Sequence, residues 1–512
     1  MGDFPKSALA MRITVLNALL LLSVFCRAYC VDGAPDFFST PDVFGRYSTD
    51  RDARDLADMT AAANNGDRDA QYNLGTEYLK GGLLGRNPAK AAEWFLRAAE
   101  QGSVEAQGTL GWMRVQGMEI EQDYDQGLFW LEKAANGGDP DAMLRVGVLY
   151  GSDIAGRLDL ETARHWYALA AENDQPTACY LLGRLILDID DPEDKSEVVR
   201  LYFKAAELGE SEAQLIVGLL FEEGLYVDRS TAKAMTWFRR SASRGNVEAM
   251  FSLALGYESG HEGPPDYVKA VRWYLRAAGK GEARAMHHLG LLHDQGLGVE
   301  ADKAEAARWY REAAERDIVP AMHNLAVCYA SGEGVERDVA KAMEWCLKAA
   351  ELGDPQAQFM AGTAYDFGEL AEPDPALALE WYRKAAEQDV ANAYLNIGMM
   401  HFNGKGTITD FDKARECYLR AAELGSDIAM NNIGLLYYAG DGVEKDFERA
   451  VEWFRKAAEN GNSDAMFNMG ICYGAGEGVP RSLTQSLRWY RMAAKNGNEN
   501  ARETLAEIGL SK

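Results

Sequence analysis

Positive charge, cysteine and long apolar runs are all scarce in this chain. Its 512 residues carry 53 Lys and Arg against 79 Asp and Glu, a formal net charge of -26. A surface that acidic repels phosphate backbones and anionic lipid headgroups, which argues against nucleic-acid and peripheral membrane partners and favours basic ones. Two of the seven cysteines fall in the first 30 residues. Cys179, Cys328, Cys346, Cys417 and Cys472 remain, an odd number without CxxC spacing, so no disulfide framework is indicated. Cys328 and Cys346 could meet across one helix pair, although small buried apolar residues account for them as well. No Asn-x-Ser/Thr sequon occurs. What is present is ordinary for a folded protein: 47% hydrophobic and 26% charged residues, a composition that excludes wholesale disorder.

The first residues differ in kind from the rest. Lys6 and Arg12 precede an apolar run from Ile13 to Phe25, and Cys26 and Ala28 offer small residues at cleavage-site spacing. Residues 1–30 therefore read as a secretory signal peptide cut near Ala28 to Cys30, and residues 31–49, with Pro35 and Pro41, as a linker. A membrane anchor would need roughly 20 apolar residues, more than this run offers. No later stretch is long and apolar enough to cross a bilayer, so the expected mature chain has no transmembrane segment.

From residue 50 onward the chain repeats itself. An alanine opens each unit: Ala70, Ala106, Ala142, Ala178, Ala213, Ala249, Ala285, Ala321, Ala357, Ala393, Ala429 and Ala465, called repeats one to twelve below. Every step is 36 residues except the 35 from Ala178 to Ala213. Such a fixed period means a solenoid. Each unit reads A-x-x-x-L-G-x-x-Y, a glycine-rich loop, then K-A-x-x-W-y-x-x-A-A-x-x-G. The alanine, leucine and tyrosine share one helical stripe. Tryptophan recurs in the second segment at 94, 130, 166, 237, 273, 309, 345, 381, 453 and 489, with an alanine pair four residues on. We expect each of these rings to bury against those small side chains. Glycines such as Gly353 and Gly461 suit helix C-termini. Asp50 to Asn65, with Asp58 in the tryptophan slot, and the stretch from Ala501 read as half-repeat caps.

This pattern resembles the Sel-1-like repeat, an α/α relative of the tetratricopeptide repeat, over residues 50–512. The resemblance implies an all-α, right-handed superhelical solenoid of twelve helix-turn-helix repeats that acts as a protein adaptor. Secretory-pathway members bring misfolded clients to a membrane ubiquitin-ligase complex in endoplasmic-reticulum-associated degradation. Other members are secreted or periplasmic, and some bacterial ones are linked to β-lactam hydrolysis. Those carry a cysteine pair in each repeat, which this chain lacks.

Several local patterns invite chemistry and yield to plainer readings. The loops at Gly296, Gly332, Gly440 and Gly476 look like phosphate cradles, but no strand precedes them and most carry acid, so they are interhelical turns. Ser230 to Lys233 matches SxxK, yet Lys233-Ala234 fills the slot of Lys90-Ala91 and no KTG or SDN accompanies it. His287, His288, His293 and His323 crowd into 37 residues, and His287 and His323 hold equivalent places in adjacent units. That is fewer convergent ligands than zinc asks for, and no metal or cofactor is expected. The acidic stretch from Asp188, in the 35-residue unit where Leu201 replaces tryptophan, suggests a change of curvature near residues 186–200.

Positions two, six and nine after the opening alanine fall opposite the core stripe. In tetratricopeptide relatives, the corresponding positions line the concave groove. Position two gives Phe251, His287, His323 and Phe359; position nine gives Glu222, Glu258, Asp294 and Asp366. Position six is mostly apolar (Leu219, Leu255, Leu291), which suits contact with the neighbouring unit. A groove of rings and carboxylates fits an extended, partly basic segment with hydrophobic anchors. The expected protein is a non-enzymatic adaptor of the secretory pathway, placed in the lumen of the endoplasmic reticulum, that holds polypeptide partners: misfolded clients or a membrane ubiquitin-ligase complex. The alternatives are a secreted or periplasmic scaffold and, from another class, a hydrolase.

Overall fold

The computed structural model describes residues 49–189 and 195–508. The expected signal peptide and nearly all of the linker lie outside these residues. So does the centre of the acidic stretch on which the expected curvature change rests. Among the described residues the chain forms 26 α-helices and one 3-10 turn, Ile154–Gly156, with no strand. Twelve pairs of antiparallel helices follow one another in the expected register. The half-repeat caps are helices too, Thr49–Asn64 before the first pair and Glu499–Glu507 after the last.

Capping explains why the helices start where they do. Asp67, Ser103, Asp354 and Asn462 accept the third residue's N–H at the start of first helices; Asp123, Asp266, Asp338 and Asp446 do so for second helices. Ser230 belongs to the same set: its hydroxyl accepts from the Lys233 backbone N–H and caps Thr231–Ser243. The SxxK pattern is thus a capping sequence. The glycine-rich loops end the first helices. Gly332 and Gly440 adopt φ of 81° and 88° and donate to the carbonyls of Cys328 and Leu436. The second loop glycine is a packing requirement, since a Cβ at Gly334 would overlap the Lys303 carbonyl of the preceding repeat.

The core differs from the sequence expectation in which ring it takes deepest. In most repeats the residue after the tryptophan lies deeper than the tryptophan: Phe95, Phe238, Tyr274, Tyr382 and Phe454 are 0–1% exposed, while Trp130, Trp309 and Trp381 are buried at 7–9%. Phe95, Phe238, Tyr382 and Phe454 lie on the glycine at position five of the first helix, as Phe454 does on Gly434. Trp94, Trp237, Trp273, Trp345 and Trp453 are only half-buried. Each tryptophan reaches towards the repeat before it: Trp489 joins the cluster of Ala457, Ala458 and Ala465, and Trp453 joins that of Ala421, Ala422 and Ala429. Its outer face carries a cation three residues on, with Arg97, Arg240, Arg276, Lys348, Lys384 and Lys456 at 3.7–4.6 Å from their ring centroids. Each such contact contributes about 0.5–1 kcal/mol at an exposed site.

The chain divides into two compact units, one up to Val217 and one from Gly218, with the boundary inside helix Ser211–Glu223. Within the first unit, helices from Thr49–Asn64 to Ser196–Leu208 pack each on the next in sequence; within the second, those from Thr231–Ser243 to Glu499–Glu507 do the same. Buried glutamines at position one join neighbours. Gln71 and Gln107 donate to the Ala63 and Ala99 carbonyls in the first unit, and Gln358 donates to Ala350 in the second, at 3.0–3.1 Å. Cys179, Cys328, Cys346 and Cys472 are buried free thiols and Cys417 is a half-buried one. Burial pushes the Cys346 thiol up to about 12.

Candidate functional site

The candidate surface is the face of the first helices that turns away from the core. Positions zero and four point inward, with Ala249, Leu253, Ala285, Leu289, Ala321 and Leu325 all at 0% exposure. The 3.6-residue period then leaves positions two, six and nine on the opposite side.

Position two is less open than the sequence suggests. Phe251 is buried, 5.8 Å from the Tyr274 ring and 5.6 Å from His288, with the Arg284 guanidinium 4.4 Å over it. Phe359 is half-buried against Tyr382 at 5.7 Å. His287 Nε2 lies 3.2 Å from Asn324 Nδ2 in the next repeat. Burial, then the neighbouring His288, pushes its imidazole down to about 4. His323 has Nδ1 3.9 Å from Asp354 Oδ1, and burial lowers its pKa. His287 is occupied by packing and a hydrogen bond, and His323 is held by packing beside Asp354, its Nδ1 buried without a hydrogen-bond partner among the described residues. No group of three or more His, Cys, Asp or Glu among the described residues is arranged to hold a metal ion.

Each carboxylate at position nine already has a partner inside the protein. Glu222 faces His261 at 3.6 Å. Glu258 accepts from the Tyr274 hydroxyl at 2.5 Å and lies 3.0 Å from His288 Nδ1. Burial works against its charge, but the hydrogen bonds from His288 and Tyr274 outweigh it and hold the carboxyl below its ordinary value. Asp294 pairs with Lys303 at 2.8 Å, and the same ammonium reaches Glu333 at 3.2 Å. Asp366, 7% exposed, pairs with Lys405 of the next repeat at 2.7 Å. The row therefore offers polarity at a low density of bare charge. It stitches repeats together, a role sequence spacing alone does not disclose.

Position six is the opposite surprise. Expected to vanish into the neighbouring unit, it stays open at Leu255, Val327 and Leu435, which are 36%, 43% and 41% exposed. With half-buried Leu219, Leu291, Met399 and Ile471, it gives the second unit an apolar side chain at the same register in every repeat except the ninth, where Thr363 stands. Leu255, Val327 and Leu435 are thus solvent-facing apolar groups at one register in a chain otherwise so charged. Its signal was in the sequence as a repeated Leu/Val/Met position; what was missing was its exposure.

The Sel1 repeat family model matches twelve consecutive segments, from residues 68–103 to residues 463–498. Among solved structures, the chain is similar to c5321, described as a protective antigen present in uropathogenic Escherichia coli strains displaying an SLR fold. Identity is 30% and the TM-score 0.74, covering 89% of this chain and 96% of that one. It is also similar to a Sel1 repeat protein from Oxalobacter formigenes, at 30% identity and a TM-score of 0.50, over 61% of this chain and 91% of that one. No curated protein matches the chain in a sequence comparison.

Proposed function

This chain belongs to the Sel1 repeat family, and from that premise we propose that it is a non-enzymatic adaptor holding partner polypeptides on its first helices in the secretory pathway. Sel1 repeat proteins serve as interaction scaffolds, and the apolar row through Leu255, Val327 and Leu435 is the observation that carries the reading here. Burying one such side chain in a partner contributes about 1.5–3 kcal/mol, so a few engaged repeats suffice for a specific complex. Around this row, half-buried His287, His323 and Phe359 supply rings, with Phe251 buried, and Glu222, Glu258, Asp294 and Asp366 a polar rim. The -26 net charge favours segments with basic residues.

The apolar run Ile13 to Phe25 behind Lys6 and Arg12 supports this choice of compartment. Within that pathway the reading is recruitment of misfolded clients, or attachment to a membrane ubiquitin-ligase complex, in the endoplasmic reticulum. The E. coli and Oxalobacter neighbours favour a second reading, a secreted or periplasmic scaffold unrelated to degradation.

Crosslinking and affinity capture from the endoplasmic reticulum lumen test the adaptor role. Capture of a ligase component or unfolded client should fall at least tenfold in a Leu255→Glu, Leu435→Glu double variant that melts like the parent. Equal capture by the variant removes this face from consideration. Sequencing the mature N-terminus tests the compartment: a start near Val31 supports it, and an intact Ile13–Phe25 segment in membrane pellets sinks it.

A further inference from the structure

The apolar row has one gap, and the gap is a hollow. Between the first helices of repeats eight and nine, Val319–Ser331 and Pro355–Phe367, lies an open cavity of about 510 Å³. Its walls include Ala330, Met360, Thr363 and Ala364, with Arg337 and Glu369 from the two loops.

Two side chains, Ala364 and Ala330, are smaller here than their counterparts, and a third, Thr363, is smaller than Met399 and polar where Val327 is apolar. Thr363 occupies position six where the repeats on either side carry Val327 and Met399. Ala364 occupies position seven between Cys328 and Met400. Ala330 occupies position nine, where repeats five, six, seven and nine have Glu222, Glu258, Asp294 and Asp366. Meanwhile Met360 brings an apolar side chain to position three, where the repeats on either side have Asn324 and Asn396. Truncation on both walls, over the apolar side chains of Met360 and Ala364, makes a place for a side chain that the protein does not itself provide. The Thr363 hydroxyl bonds back to the Met360 and Phe359 carbonyls at 2.8 and 3.2 Å, so it asks nothing of a ligand.

The rim is charged. Arg337 commits its Nε to the Ala330 carbonyl at 3.0 Å. Glu369, with Glu336 and Glu372 beside it in the same two loops, is exposed and has no ion pair among the described residues. These are unlike the position-nine carboxylates, each of which has an internal partner. Unpaired acid beside the Met360 and Ala364 side chains is complementary to a cation attached to an apolar group.

We infer that this hollow is an anchor site for an extended segment of a partner polypeptide carrying one large apolar side chain beside a lysine or arginine. The apolar group fills the space over Met360, Thr363 and Ala364, and the cation meets Glu369. The site rests on the adaptor reading and adds to it the chemistry of the recognised segment.

The test uses the full chain and fluorescein-labelled heptapeptides Gly-Ser-Lys-X-Lys-Ser-Gly, read by fluorescence anisotropy. With X tryptophan or leucine, binding should be at least tenfold tighter than with X alanine. Replacing both lysines by glutamate should abolish it. Thr363→Leu restores the ordinary residue of the row, preserves the helix and fills the hollow; it should erase the difference between tryptophan and alanine. Glu369→Lys should erase the preference for lysine over glutamate. Equal binding of the tryptophan and alanine peptides, a difference that survives Thr363→Leu, or a preference for the glutamate peptide overturns the inference. Failure of these arms while the Leu255→Glu, Leu435→Glu variant still loses its captured partner sinks the anchor alone. Failure of that capture as well sinks the adaptor reading.

Discussion

Tyr274 donates its hydroxyl to Glu258 at 2.5 Å, and His288 Nδ1 stands 3.0 Å from the same carboxylate oxygen. One carboxylate thereby joins both helices of repeat six to the first helix of repeat seven. Glu258→Ala leaves the enclosed Tyr274 hydroxyl without this acceptor, which costs roughly 1–3 kcal/mol. The expected result is a lower urea midpoint at unchanged m-value. A parental midpoint would mean the clasp adds nothing to stability.

His287 makes the second unit sensitive to acid. Its folded-state pKa, pushed down to about 4 chiefly by burial, lies below the roughly 6.5 of an exposed imidazole. Between those values the unfolded chain binds a proton that the folded chain refuses. Its contribution is therefore whole above about pH 6.5 and is lost as pH falls towards 4, up to roughly 3 kcal/mol. Glu258 and His288 face the same ring. His287→Gln should flatten that slope in urea unfolding followed from pH 7 to pH 4; an unaltered slope assigns it to other groups.

Glu210 acts in the opposite sense within the first unit. Burial, then Glu212 beside it, raises its carboxyl to about 7, while the Thr177 hydroxyl donates to it at 2.8 Å. For an acid whose folded pKa is raised, the contribution is complete below the unfolded value near 4.3 and fades as pH climbs through 7. Glu210→Gln should stabilise the protein at pH 8 by roughly 1–3 kcal/mol and change little at pH 4.5. Thermal melts at the two values check this, and equal shifts at both would refute it.

Gly434 lies under the Phe454 ring, and a Cβ there would sit 2.5 Å from two ring carbons. Gly434→Ala should cost about 1–3 kcal/mol through overpacking, seen as a lower melting temperature. Repeat six bears alanine in this register, Ala254, with Tyr274 as its ring. A neutral Gly434→Ala would accordingly show that Phe454 can shift aside.

The fold was readable because each unit restates the same spacing. Register, helix pairing, caps and the turn role of Gly332 and Gly440 all follow from local rules applied twelve times. The candidate surface was readable only in outline. A helical wheel puts Glu258 and Asp366 outside, yet Asp366 is buried, and their partners His288 and Lys405 lie 30 and 39 residues onward, where no local rule couples them. Tryptophan misled for a related reason. Its size suggests the deepest place, yet the glycine at position five accepts the ring beside it, and the indole covers a neighbour's alanines instead. Leu255 and Leu435 look like packing residues by composition; the geometry of adjoining helices decides that they face solvent.

The glutamine links have a consequence for biosynthesis. Gln107 finds its acceptor, Ala99, only eight residues back, and Gln71 and Gln358 do likewise. A nascent chain leaving the ribosome can therefore fasten each new helix to the one just completed without waiting for a distant stretch to be translated. A stalled or truncated chain would be a shorter array with an unfinished end, and only its last pair would lack cover.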